Sequence, residues 1–191
     1  MTARGTRPPK KTDVRAASCD VVEYHPVVIP SLDSEAQRLI LALGLTAHPE
    51  GGFYRETFRS QVRLAAARGE RAALTTIHFL LPAGTSSAFH KVTCDEVWCY
   101  AAGDALELHV VSPEGAHTAL RLGPDLGRGD LTHAVVPAGH WQAARPLGGR
   151  YALLTCVVAP GFEFEDFVLA SHGEMEATFP HLATLLAAFT R

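Results

Sequence analysis

The stretch GTSSAFHKVTCDEVWCYAAG, residues 84–103, decides how the rest of the chain is read. Glycines close it at Gly84 and Gly103, and the run between them has the β-branched and aromatic content of a strand. On an alternating strand His90, Val92, Cys94 and Glu96 point to one face, and Trp98 and Tyr100 continue it if no bulge intervenes. Lys91, Thr93, Asp95, Val97 and Cys99 take the other face. The triplet Thr93-Cys94-Asp95 is polar and lies between two apolar runs, where a bulge is expected. An imidazole and a carboxylate on one strand face can bring an acid/base pair, or a metal ion, inside a small β-barrel.

Downstream the chain keeps the same character. ALELHVVS, HTALRL, LTHAVVPAG, HWQAARP and YALLTCVVAP are short runs of strand composition separated by Pro and Gly turns, and LTTIHFLL precedes the opening stretch. Many short strands at close spacing argue for a sandwich or barrel rather than a parallel βαβ sheet. Closure matters, because an open sheet of this size would expose long edges. The end, MEATFPHLATLLAAFTR, reads as a final helix with Pro180 near its start. In GFEFEDF the acids Glu163, Glu165 and Asp166 alternate with aromatics, the pattern of an edge strand with one face in solvent or against a partner.

Upstream, Ser31 to Ser34 offer N-cap candidates for EAQRLILALGL, whose Leu39, Ile40 and Leu43 form an apolar face and whose Gly44 stands where a helix C-cap glycine belongs. HPEGGFYRETFRS follows. Its glycine pair allows a backbone conformation or close approach that a side chain would forbid, and its aromatic-polar alternation puts Tyr54 and Glu56 on one face and Phe53, Arg55 and Thr57 on the other. Residues 1–30 read as a flexible, basic tail, with residues 31–191 forming a single domain. An organelle-targeting peptide also fits the tail's Arg-rich composition.

The 191 residues are 47% hydrophobic, enough to fill a sizeable core. A net charge of −3 gives no electrostatic case for nucleic acid or an acidic membrane as partner. No apolar run approaches the roughly 20 residues of a spanning helix, so a soluble, cytoplasmic chain is expected. The four cysteines, Cys19, Cys94, Cys99 and Cys156, include no C-x-x-C pair, and they read as small buried apolar residues rather than a zinc knuckle or disulfide framework.

The spacing of Gly84, His90, Val92, Glu96 and Gly103 resembles the first cupin motif, with Val92 where that motif usually carries a second histidine. Pro137-Ala138-Gly139 resembles the second motif, with Gln142 at its histidine position. HPEGGFYRE, SSAFHKVTCDEVWCYAAGD, LGPDL, VVPAGHWQAA and VAPGFEFEDFVLA together resemble the cupin-5-like subfamily of RmlC-like proteins over roughly residues 35–190. The resemblance implies a mainly β fold, a double-stranded β-helix jelly-roll barrel with a short N-terminal helix and a C-terminal helix, a pocket inside the barrel, and a homodimer. The chain departs from the subfamily at Cys99, where histidine is usual, and at Thr132-His133 and His140.

Three functional readings follow. In the first, His90 and Glu96 isomerise or epimerise a small polar or sugar-like molecule, with Tyr54 or Tyr100 as the acid. Trp98 and Trp141 then supply flat walls, Arg55 neutralises a phosphate or carboxylate, and Gln142 and His78 complete the binding set. In the second, His90, Glu96 and Gln142, with His78 as a further imidazole, hold a divalent ion (Fe, Mn, Ni or Zn) for an oxygenase or lyase. In the third the barrel binds a small ligand without chemistry. Each residue also has a plain reading: a satisfied buried pair for His90 and Glu96, packed core for the tryptophans, and a salt bridge to Glu56 or Glu50 for Arg55.

Overall fold

The computed structural model describes residues 34–190, so the tail expected over residues 1–30 and the candidate caps at Ser31 and Asp33 lie outside the described residues. Helix α1 (Ser34–Leu43) opens the fold. Gly44 adopts φ 61°, its N–H donates to Leu41 at 3.2 Å, and the Leu45 N–H donates to Ile40 at 2.9 Å. This is the paired-bond C-cap that a left-handed glycine permits. It turns Leu45 back to pack with Ala36, Leu80 and Tyr151 on the outside of a sheet.

The strands are β1 (Thr46–Ala47), β2 (Phe53–Arg59), β3 (Arg63–Ala66), β4 (Gly69–Ala72), β5 (Thr75–Pro82), β6 (Ser87–Val92) and β7 (Asp95–Gly103). They continue with β8 (Leu106–Val111), β9 (His117–Leu122), β10 (His133–Val136), β11 (Trp141–Pro146), β12 (Tyr151–Ala159) and β13 (Phe167–Leu169). Six of them make one antiparallel sheet in the order β1-β2-β5-β12-β7-β10, five make another in the order β13-β6-β11-β8-β9, and β3-β4 is a separate hairpin. The inner faces of both sheets share a core that includes Phe79, Trp98 and Leu154 from the first and Leu108, Val110 and Ala144 from the second. Each large side chain buried there contributes about 1.5–3 kcal/mol. The two packed sheets match the sandwich expected from the strand pattern and the jelly roll that the resemblance implies.

Residues 84–103 differ from the expected single strand. β6 belongs to the five-stranded sheet and β7 to the six-stranded one, with the chain crossing between them at Thr93-Cys94. The polar triplet is a change of sheet, not a bulge. The loop 137–140 braces it: the Gly139 N–H donates to Val92 O at 2.8 Å, and the Ala138 N–H donates to the Asp95 carboxylate at 2.8 Å. His90 and Glu96 therefore reach the interior from different sheets.

Two other expectations change. The closing helix is two short ones, α2 (His172–Thr178) and α3 (Ala183–Phe189), because Phe179 is non-helical and Pro180 starts a 3-10 turn. A proline inside a helix lacks the N–H that the ladder needs. Both helices pack on the outer face of the five-stranded sheet through Phe89, Val111 and Ala143. GFEFEDF is mostly a turn (Phe164–Asp166), and only β13 after it runs along a sheet edge.

Gly52 is a position where no side chain fits. Its φ is 69°, and a Cβ there would lie 2.7 Å from Leu80 O and 2.8 Å from a Leu81 methyl. Replacing it with alanine is expected to cost about 2–5 kcal/mol, combining a left-handed backbone penalty with overpacking. Gly84→Ala is the control, since its added Cβ would meet nothing within 4 Å at a similar φ of 74°; urea denaturation should show Gly52→Ala as clearly the worse.

Candidate active site

The site begins in the loop before β2. The His48 N–H donates to Gly52 O and the Gly51 N–H to His48 O, both at 3.0 Å, while Gly51 and Gly52 take positive φ. That tight turn drives Glu50 inward, and the Ala88 N–H on β6 fastens it by donating to Glu50 O at 2.8 Å. Glu50 is only 5% exposed. Its Oε2 lies 3.2 Å from His48 Nδ1 and 3.2 Å from His90 Nε2, and its Oε1 accepts the Ser87 hydroxyl at 2.8 Å. His90 Nδ1 faces Ala88 O at 2.9 Å and so must carry a hydrogen, because a carbonyl only accepts.

Glu96 enters from β7 on the facing sheet. Trp98 Nε1–H donates to Gln142 Oε1 at 2.9 Å, which fixes the amide and leaves its Nε2–H to donate to Glu96 Oε2 at 2.6 Å. An indole nitrogen is a donor only, so this amide orientation follows from chemistry. Burial pushes Cys156 well above the usual thiol range, with the nearby Glu96 and Glu50 adding to it.

The two carboxylates are displaced in opposite directions. Burial would raise Glu50, but the His90 charge and the His48 and Ser87 hydrogen bonds outweigh it and hold the group below its usual range. Burial raises Glu96 and the charge of Glu50 raises it further, with His90 and Gln142 offsetting only part. Glu50 is thus held toward its ionised form and Glu96 toward its protonated form.

Both open onto a cavity of about 270 Å³. His48, Glu50, Glu96, Trp98 and Cys156 form its buried end; Tyr54, Phe79, Phe162, Phe164 and Phe167 wall it; Arg55, Glu56, Arg59 and Glu163 stand at the exposed end. Of the residues expected in the site, Glu96, Tyr54, Arg55 and Trp98 line this cavity. His90 and Gln142 stand just behind, holding Glu50 and Glu96. Three are elsewhere. Tyr100 lies further along β7 and donates its hydroxyl to Gly103 O at 2.7 Å. Trp141 sits outside the five-stranded sheet, with Lys91 Nζ 4.4 Å from its ring centre. His78 alternates with Thr75, Ile77 and Phe79 along β5, which face the cavity, so it takes the opposite, outer face.

His90, Glu96 and Gln142 do not fit a metal ion as they are arranged. The Gln142 oxygen is held by Trp98, and the nitrogen of His90 that is free of Ala88 faces Glu50. Among the described residues no three His, Cys, Asp or Glu side chains are grouped to hold one. What the sequence reading missed is His48, Glu50 and the aromatic wall. The HPEGG turn was visible, but turn residues belong to no strand face, so alternation could not aim them.

A model of the Cupin superfamily (DUF985) family matches residues 37–170. The chain belongs to that cupin family. The cupin superposes on protein SO0799 from Shewanella oneidensis with a TM-score of 0.77 and 36% identity, over 82% of this chain and 97% of that one. A hypothetical protein from Leishmania major gives a TM-score of 0.77 and 30% identity over 81% and 98% of the two chains. By sequence it is 28% identical to the uncharacterized protein YML079W of Saccharomyces cerevisiae, over 78% of this chain and 82% of the relative.

Isosteric substitutions in this cupin test the opposed carboxylates. Because Glu96 is raised, the native state keeps a proton that the unfolded chain loses above the usual carboxylate range, so its term falls as pH rises toward the raised value. Glu50 is depressed, so its term is present above that range and is lost as pH falls through the lowered value. Glu96→Gln should match or exceed the parent's stability near pH 8, while Glu50→Gln should cost about 3–5 kcal/mol at pH 7 by stripping its buried partners of their counter-charge. Urea denaturation at several pH values decides it; the reverse ranking would invert the assignment.

Proposed function

We propose that this cupin is an isomerase- or epimerase-type enzyme that moves a proton on the carbon next to a carbonyl of a small molecule. The observation that carries the reading is the pair of buried carboxylates in one chamber, one held ionised beside an imidazole and the other held toward its acid form. Paired titratable groups pushed apart in this way mark an acid and a base.

The base differs from the one that strand alternation suggested. His48 lines the chamber while His90 does not. The Glu50 N–H points at His48 Nδ1 from 3.4 Å, but the Glu50 carboxylate is nearer at 3.2 Å, and in this mechanism Nδ1 carries the hydrogen and donates it to that carboxylate. Nε2 makes no hydrogen bond among the described residues and is the nitrogen left to abstract a proton. As the C–H bond breaks, its electron pair becomes the new C=C bond and the carbonyl π pair moves to oxygen, where Glu96 donates its proton. Return of a proton to carbon, from the other face or at the neighbouring atom, gives the isomer, and Glu96 recovers its own. Tyr54, whose hydroxyl makes no hydrogen bond among the described residues, is a second donor for that oxygen. Gln142 and Trp98 keep Glu96 oriented, and His90 is a positioning residue for Glu50.

Proton transfer by a placed side chain contributes about 10²–10⁴-fold in rate. Incubating the protein in D₂O with a panel of hydroxy-ketones and hydroxy-aldehydes and following deuterium uptake by NMR should reveal exchange beside the carbonyl. His48→Gln and Glu96→Gln should each reduce it about 10²–10⁴-fold, and the parent rate should fall above the raised Glu96 value, where the acid has lost its proton. Exchange that is equal in parent and both variants would discard the reading.

A further inference from the structure

We infer that the chamber takes a flat ring with an apolar body and one or two hydroxyl or carbonyl oxygens on its inner edge, rather than a polyhydroxylated sugar. The inference names the substrate class for the reaction proposed above and rests on that reading of the chamber. It follows from where the polar groups are. His48, Glu50, Glu96 and Tyr54, whose ring packs edge-on to His48 at 4.6 Å between centres, gather the polar groups toward one end, whereas Ile77, Phe79, Val158, Phe162, Phe164 and Phe167 line the walls beyond them. Thr75, also in the lining, accepts the Phe162 N–H at 3.0 Å, and Thr46 stands with Arg55 and Glu56 toward the exposed end.

A hexose presents hydroxyls all around its ring, and each one buried without a partner carries a desolvation cost. Here the buried edge of a ligand meets polar partners, whereas its two faces meet apolar side chains. A cyclic ketone or similar ring with a single oxygenated edge meets the walls without that cost, and a phenol is the flat probe of the same shape. Size agrees: an apolar cavity of about 150 Å³ holds benzene, and this chamber of about 270 Å³ leaves room for a ring and small substituents. The aromatic wall also offers flat contact. Phe164 lies nearly parallel to the His48 ring, at 27° and 6.0 Å between centres, and is 51% exposed at the chamber's open side. At the exposed end the Arg59 guanidinium is already bound to Glu56 and Glu163, so its charge is matched within the protein.

The chain has two tryptophans, and Trp98 is the one in the chamber. Trp141→Phe, outside the chamber, leaves its indole N–H as a single NMR reporter. Phenol, cyclohexanone and D-glucose should be titrated separately at equal concentrations. Phenol and cyclohexanone should shift the Trp98 signal saturably, D-glucose should leave it in place, and Phe164→Ala, at a half-exposed site that should not disturb folding, should weaken phenol binding at least threefold. A D-glucose shift equal to or larger than that of phenol, or no shift with either ring compound, overturns the inference, as does unchanged phenol binding in the Phe164 variant. Binding is read here without turnover. Ring binding without deuterium exchange defeats the catalytic reading alone, and exchange without ring binding defeats the substrate class alone.

Discussion

The buried charge of Glu50 sets the terms for the rest of the site. Removing a carboxylate from water costs several kcal/mol unless donors replace the lost hydration. Here the donors come from two separated parts of the chain: His48 from the same loop, and Ser87 and His90 from β6. The loop must therefore be pressed against β6, which the Gly51-Gly52 turn allows and the Ala88-to-Glu50 backbone bond secures. Glu96 lies a short way across the interior, where its donors among the described residues are the Gln142 amide and the Cys156 thiol. It receives one amide hydrogen bond from Gln142 and feels the Glu50 charge, so it is held toward its neutral form. The charge of the satisfied carboxylate is part of what raises the other.

The crossing at Thr93-Cys94 gives this arrangement its depth. Had residues 84–103 formed one strand, His90 and Glu96 would lie about 20 Å apart along it at roughly 3.3 Å per residue. Changing sheets folds that distance across the interior. Val92, at the end of β6, is buried and apolar, and the ring nitrogen of His90 turned away from Ala88 finds a carboxylate from a loop. Gln142 pairs in register with His90 yet turns its amide to Trp98 and Glu96. Of the three histidine positions of the usual cupin motif, Val92 is thus apolar packing, while His90 and Gln142 form a hydrogen-bonded frame.

How much of this was legible follows from the kind of signal each residue carries. Period-two alternation with glycine punctuation located most of the strands and the inward aim of Glu96 and Trp98, the family resemblance supplied the jelly roll, and the Gly44 cap was readable from one residue. Alternation also held the answer for Trp141, because a strand that turns Gln142 inward turns its neighbour outward. Tyr100 faces the correct side, but it lies roughly 13 Å beyond Glu96 along β7, and alternation says nothing about depth. The β3-β4 hairpin was missed because Arg63-Leu-Ala-Ala-Ala-Arg-Gly-Glu lacks β-branched residues. His48 and Glu50 were missed because only three-dimensional pairing assigns direction to a turn.

That hairpin bears on the chamber's aromatic wall. Phe162, Phe164 and Phe167 lie at the passage from one sheet to the other, where only β13 gives them ladder hydrogen bonds. Arginines hold the segment instead. Arg71 on β4 makes a two-point contact with the buried Asp166 at 2.8 and 3.3 Å, Arg68 at the hairpin turn donates to Glu165 O, and Arg59 on β2 holds both Glu163 and Phe162 O. A buried ion pair adds little net stability compared with an apolar pair of the same shape, but its geometry is exacting. Its effect here is positional. The acids in GFEFEDF fix the backbone through arginines on one side, and the phenylalanines between them are thereby turned toward the chamber on the other.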